Sequence, residues 1–237
     1  MSLRDQIATA EGKRIYVRRL FATIADRYDF ITVALSYGRD RKWKRRLIDL
    51  AAPAKTTRAL DLATGTGDIA YGLAARGAHV VALDITPRMI ELARAKAIQH
   101  EPVRFLVGDM LALPFPAGSF DLVTVGYGLR NVPDLGVAID ELARVLQPGG
   151  QLMSLEFNRP PNALVRWLYF HYLNVAGSLF GWLLHRDPDT YRYIPASLRT
   201  YPDADGVAQM MAARGFARVE HVPVFGGLMS IHRGFKR

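Results

Sequence analysis

Apolar positions fall into two rhythms along the 237-residue chain, and the change between them marks its organisation. Residues 12–30 carry Ile15, Leu20, Phe21 and Ile24 at helical spacing, then Arg27-Tyr28-Asp29-Phe30, and predict one helix. Residues 40–52 predict a second, with Trp43, Leu47, Ile48, Leu50 and Ala51 on one face and basic side chains opposite. Pro53 ends it. From residue 57 short apolar runs alternate with helical patterns. Strands are predicted at 58–63, 79–84, 103–107, 121–125 and 151–157. Helices are predicted at 67–76, stopped by Gly77, at 86–97, with Thr86 as cap and Pro87 in the first turn, and at 134–146. Such βαβ alternation gives a parallel sheet with helices on both faces.

At Pro160-Pro161 the alternation stops. Residues 160–186 are rich in Leu, Trp, Tyr and Phe, but Arg166, His171 and Asn174 interrupt any clean membrane span. Gly177 and Gly181 further predict two short helices, an inserted cover over the site. Its aromatic content suits contact with an apolar ligand, lipid or another subunit; a buried core pair is the plain alternative. A helix at 203–214 then leads to strands at 216–224 and 228–235, which a Gly226-Gly227 turn makes antiparallel. The chain reads as one domain over 1–237, with a helical arm at 1–52 and the cover at 160–186.

The chemistry centres on Asp61-Leu62-Ala63-Thr64-Gly65-Thr66-Gly67, where a strand ends in an acid and enters a glycine turn before a helix. Gly65 and Gly67 permit positive φ and close backbone approach, and the helix start offers free N–H groups. The spacing is neither a dinucleotide fingerprint nor a phosphate-binding loop with Gly-Lys-Ser/Thr. Two more acids close successive strands. Asp84, before Ile85, is placed to accept ribose hydroxyls. Asp109 suits an adenine amino group, with Met110 against the ring. Asp61 either orients the loop or meets the ligand's ammonium group. Gly126 follows the fourth strand at the same sheet edge.

Composition narrows the classes. Half the residues are apolar, enough for a core, and no cysteine is present, which removes disulfides, zinc–thiolate sites and thiol nucleophiles. Met1 to Arg14 lacks the apolar core of a secretory signal. The formal charge of +9 attracts polyanions, nucleic acid or an acidic membrane face. It concentrates in Lys13, Arg14, Arg18 and Arg19 and in Arg39, Arg41, Lys42, Lys44, Arg45 and Arg46. Basic faces that only confer solubility explain it equally.

The glycine loop resembles the D-x-G-x-G-x-G loop of class I S-adenosylmethionine methyltransferases, with Ala63 at the first glycine. A parallel sheet closed by an antiparallel hairpin is also that class's plan. A more specific likeness runs from residue 16 to the end. Phe21 to Asp29, Leu35-Ser-Tyr-Gly38, Arg41-Lys-Trp43, Leu113-Pro-Phe-Pro116, Gly128-Leu-Arg-Asn-Val132, Arg144 to Gly150, Leu155-Glu-Phe157, Tyr191-Arg-Tyr193 and Ile231-His-Arg-Gly234 resemble the ubiquinone/menaquinone biosynthesis C-methyltransferases.

The resemblance implies a Rossmann-like, seven-stranded, mostly parallel sheet and methylation of a ring carbon of a prenylated quinol, with S-adenosylmethionine as donor and no metal. A ring carbon becomes nucleophilic when its neighbouring phenol ionises. Arg130 is the implied phenolate stabiliser, set against a plain salt bridge with Asp134. Asn131 and Tyr127 supply hydrogen bonds, and Tyr28 and Asp29 close over the pocket. His232 takes a proton, or is a satisfied core histidine. The cofactor set comprises Asp61, Ala63, Gly65, Thr66, Gly67, Asp84, Ile85, Asp109, Met110 and Gly126. The implied setting is cytoplasmic, peripheral to the inner face of the cell membrane; a homodimer is compatible and no nucleic acid is expected.

This chain departs from the pattern at Thr32 and Asp40, where many relatives carry Asn and His. Ala196-Ser197-Leu198 stands for Glu-Ser-Ile, and Gly126-Tyr127-Gly128 for Ser-Phe-Gly. These changes leave another lipid-like or polyketide aromatic open as acceptor. An RNA methyltransferase, favoured only by charge, and a non-catalytic cofactor-binding protein are the rivals.

Overall fold

Strand β1 (Arg58–Leu62) is an inner strand of the computed structural model, which describes residues 3–97 and 103–237. Met1 and Ser2 of the arm fall outside the described residues. With β2 (His79–Asp84), β3 (Arg104–Val107), β4 (Phe120–Gly126), β5 (Leu146–Phe157), β6 (Phe216–Val224) and β7 (Met229–Lys236), it forms a seven-stranded sheet in the order β3-β2-β1-β4-β5-β7-β6. The first five strands are parallel, and β7 runs antiparallel to both β5 and β6. The order reverses between β1 and β4, so the crevice at their carboxyl ends is the place for a ligand.

Alternation along β1 divides the core. Leu60 and Leu62 face α7 (Leu135–Val145) and α10 (Ala204–Ala213), packing with Ile139, Leu142, Val207 and Met211. Ala59 faces α4 (Asp40–Ala51), α5 (Asp68–Ala74) and α6 (Pro87–Ala95). Each fully buried leucine contributes roughly 2 kcal/mol through the area it removes from water. Strands β2 and β6 match their predicted bounds. β5 begins earlier than predicted because Leu146 already pairs with Phe120, across a register shift.

The arm differs from the single helix expected at 12–30. After α1 (Leu3–Gln6), α2 (Ala10–Ile24) tightens into a 3-10 turn at 25–27, and α3 (Tyr28–Leu35) follows. Ile24 and Ile31, on either side of the turn, both enter one small core with Val17, Leu20, Tyr191 and Tyr193. In α4, Lys44 does not belong to the basic face. It is buried against Asp40 and Asp68, while Arg41, Lys42, Arg45 and Arg46 stay exposed.

The predicted pair of short helices at 160–186 is one helix, α8 (Ala163–His185). Its glycines serve close approach. A Cβ on Gly177 would meet the Tyr191 carbonyl oxygen at 3.1 Å, and one on Gly181 would overlap the Asp187 carbonyl. The chain thus doubles back across α8 before α9 (Tyr193–Thr200). The outward face of α8 carries Leu164, Trp167, Leu168, Val175, Leu179 and Trp182, all exposed and spaced along one helical stripe.

Candidate active site

The loop after β1 is held from behind. Asp61 is 1% exposed, and its two carboxylate oxygens accept the hydroxyls of Thr64 and Thr124, each at 2.6 Å. Burial pushes its carboxyl up to about 6 against the pull of those bonds. It therefore orients the loop rather than meeting a ligand, which corrects one of the two roles expected. Ala63, Gly65 and Gly67 take φ of +50°, +54° and +88°. Gly67 caps α5, and the buried Thr66 hydroxyl donates to Asp29 at 2.5 Å. Neither lines the cleft that the loop borders.

That cleft is lined by Ala63, Gly65, Asp84, Ile85, Asp109, Met110 and Gly126 of the predicted cofactor set. Asp84 accepts backbone N–H groups from Gly65 at 2.9 Å and Thr86 at 2.8 Å, and burial raises its carboxyl above the usual range. Each oxygen keeps lone pairs for a further donor. The Thr86 side chain, expected to cap α6, makes no cap bond, and the residue's own backbone N–H goes to Asp84. Asp109 lies two residues past β3 and accepts from the Leu111 N–H at 2.9 Å. An acid for hydroxyls, a second at the far end and an apolar thioether between fit a nucleoside with a charged tail. Arg14, Val17, Phe21 and Tyr28 of the arm roof the cleft and leave about 80 Å³.

A second cavity of about 420 Å³ adjoins the first, and Phe21, Tyr28 and Tyr127 line both. Its other walls are mainly apolar, from α2, α3, α8, Phe157, Tyr191, Tyr193 and Met229. Arg130, 5% exposed, stands in its wall. Its Nε donates to Glu156 at 3.0 Å and its Nη1 to Ser197 and Asn131 at 3.0 and 3.2 Å, while the guanidinium lies over Phe157. The salt-bridge partner is thus Glu156; Asp134 caps α7 instead. Burial raises the Glu156 carboxyl although Arg130 opposes it. Asn131 donates to the Tyr127 carbonyl at 2.9 Å and fixes a turn in which Tyr127 has φ of +58°.

Asp29 and His232 correct their expected roles. Asp29 lines neither cavity; it is exposed and ion-paired with Lys96. His232 is 2% exposed, with Nε2 donating to the Ala204 carbonyl at 3.0 Å and Nδ1 facing the Ser154 hydroxyl at 3.4 Å. Burial pushes its imidazole down to about 4, and it lines neither cavity. It is a core histidine.

Asp40, one of the positions at which the sequence departs from the family pattern near the expected acceptor, is a wall of the larger cavity, where it accepts the Tyr127 hydroxyl at 2.8 Å. Sequence reasoning missed Lys13, whose ammonium donates to the Val132 carbonyl at 2.7 Å. Burial and the Arg130 charge push that amine down to about 8, opposed by Glu156. An arm lysine that follows no periodic rule gives no signal before the fold is known.

A glycine loop, an acid at the end of the next strand and this sheet order define an S-adenosylmethionine-dependent methyltransferase. The chain belongs to the ubiE/COQ5 methyltransferase family, which it matches over residues 8–236. It is 44% identical over 218 residues to a demethylmenaquinone methyltransferase of Thermus thermophilus, covering 91% of this chain and 99% of the relative. It is 38% identical over 226 residues to the ubiquinone/menaquinone biosynthesis C-methyltransferase UbiE of Azotobacter vinelandii, covering 93% and 89%. A Thermotoga maritima S-adenosylmethionine-dependent methyltransferase, a possible histamine N-methyltransferase, shares the fold with TM-score 0.68 and 18% identity, over 93% of this chain and all of that one.

Proposed function

We propose that the chain methylates a ring carbon of a prenylated quinol, demethylmenaquinol to menaquinol or a benzoquinol precursor of ubiquinone. The observation that carries this is the 420 Å³ apolar cavity sharing Phe21, Tyr28 and Tyr127 with the cofactor cleft. S-adenosylmethionine supplies an electrophilic methyl group when bound. The protein's part is to hold the acceptor ring against that cleft, exclude water and favour the phenolate. Arg130 faces the ring with its guanidinium fixed by Glu156, Ser197 and Asn131, so charge stabilisation costs little reorganisation. Asp84 and Asp109 take the ribose and adenine ends of the donor.

Among the described residues no helix is long and apolar enough to cross a membrane. The exposed stripe of α8 and the exposed arginines of α4 support peripheral binding to the inner, anionic face of the cell membrane, with the prenyl tail leaving along α8. The deciding assay is transfer of labelled methyl from S-adenosylmethionine to demethylmenaquinol, read by mass spectrometry. Menaquinol formation is expected; absence of transfer to any quinol would overturn the reading. The quinone precursor that accumulates in a strain lacking the protein identifies the acceptor.

A further inference from the structure

The larger cavity poses a question the family likeness leaves open: which group takes the proton when the acceptor's phenol ionises. Among the described residues its wall holds two charged side chains, Arg130 and Asp40. The guanidinium of Arg130 carries donors only and accepts nothing. Glu156 is outside the wall, with its oxygens engaged by Arg130 and the Phe157 N–H. His232 is elsewhere, and both its nitrogens face partners. Tyr28 and Tyr127 have hydroxyls held above the ordinary range by burial, so they remain protonated.

We propose that Asp40 is the general base of the methyl transfer, receiving the acceptor's phenolic proton directly or through the Tyr127 hydroxyl. This rests on the quinol reading above. The carboxylate is 2% exposed at the cavity wall, with Oδ1 accepting from Tyr127 at 2.8 Å and Oδ2 at 2.6 Å from the Lys44 ammonium. A carboxylate has about four acceptor positions, so both oxygens keep room for a substrate donor. Lys44 fixes the carboxylate but does not neutralise it alone, because Asp68 shares the same ammonium at 2.9 Å.

In the step, the acceptor O–H bond breaks and its electron pair stays on oxygen, enriching the neighbouring ring carbon. The proton goes to Asp40. On the Tyr127 route, the tyrosine passes its own proton to Oδ1 and takes the acceptor's. After the ring carbon gains its methyl group, Asp40 returns its proton to the oxygen as the ring carbon loses its hydrogen to water. One proton is released overall, and Asp40 is regenerated.

Four titratable groups face Asp40. They are Lys44 on its own helix, Tyr28 of α3, Tyr127 after β4, and Asp68 of α5 across Lys44. Burial would lower the Lys44 amine, but Asp68 and Asp40 hold it above its usual range. Burial would raise Asp68, but Lys44 holds it down to about 2. None of these four titrates near neutrality.

The test compares Asp40→Asn and Asp40→His with wild type across pH, using demethylmenaquinol. Asp40→Asn should lose about 10²-fold or more in turnover at neutral pH and regain it steadily as the free acceptor ionises. Its affinity for S-adenosylmethionine should stay unchanged. Asp40→His supplies another base and should turn over well above an acid limb near about 6.5, higher than a carboxylate's. A readout free of turnover is quinol binding without cofactor, followed by protein fluorescence. Wild-type affinity should weaken in acid, and Asp40→Asn affinity should not. Wild-type turnover in Asp40→Asn, parallel loss of cofactor affinity, or a folded but inactive Asp40→His would overturn the assignment. Should Asp40→Asn fail to fold, Asp40→His decides alone. Wild-type failure on every quinol overturns the proposed function and this role with it.

Discussion

The Arg130 guanidinium meets the Glu156 carboxylate at 3.0 Å with both side chains out of water. Removing one partner of a buried pair leaves an uncompensated charge. Glu156→Ala should therefore lower unfolding free energy by about 3 kcal/mol or more, measured by urea titration. Arg130→Ala should cut turnover about 10²-fold with S-adenosylmethionine affinity nearly intact. A large loss of cofactor affinity would move Arg130 out of the acceptor site.

Ala63 holds a left-handed φ of +50°, and a Cβ on Gly128 would stand 2.6 Å from the Ala63 Cβ. Left-handed backbone costs a non-glycine residue about 1–2 kcal/mol, and glycine's freedom in the unfolded chain returns roughly half of that. Ala63→Gly should stabilise by about 0.5–1 kcal/mol on that balance. Gly128→Ala should destabilise by about 1–3 kcal/mol through overpacking. The double variant should be less damaged than the sum by about 1 kcal/mol, since the nearest of two clash partners is gone while Val125 Cγ1 at 2.9 Å remains. Additive thermal melts would show that the two positions do not touch.

His232 gives a pH signature of stability. Its folded imidazole is pushed down to about 4 by burial, below an unfolded value of about 6.5, so the unfolded state binds the proton first. Its contribution is present above about 6.5 and lost as pH falls toward about 4, on the order of 3 kcal/mol. Asp61 runs the other way: its folded carboxyl, raised to about 6, loses stability as pH rises from about 4 to 6. The whole protein therefore conceals both. The difference between wild type and His232→Asn isolates the first, and it should shrink steadily from pH 7 to pH 4 in urea titrations. A constant difference would contradict the burial argument.

On α8, Trp167 and Trp182 are 62% and 61% exposed. Replacing both by Ser should weaken flotation with anionic vesicles by about tenfold or more, from lost apolar burial. Raising salt should weaken wild-type binding through the α4 arginines. A change in sedimentation instead of flotation would assign the stripe to a second copy of the chain.

The succession of strands and helices, the glycine loop and the placement of Asp84 at a strand end could be read from sequence because each rests on local periodicity or turn chemistry. The break at 25–27 could not, since apolar spacing continues through it and only packing against Tyr191 and Tyr193 sets the phase. Gly177 and Gly181 misled for a related reason: glycine weakens a helix in isolation, yet here it admits a crossing backbone. Lys44 looked like one more cation among six, and Asp40 like a helix start. Their burial depends on α5 and the turn after β4, which lie far along the chain.

Phe21 and Tyr28 belong to an arm that walls both cavities. Donor and acceptor therefore do not occupy independent sites. A ligand that displaces the arm at one cavity moves a wall of the other. Any linkage of the two affinities through that wall is one factor, the same in either order of addition.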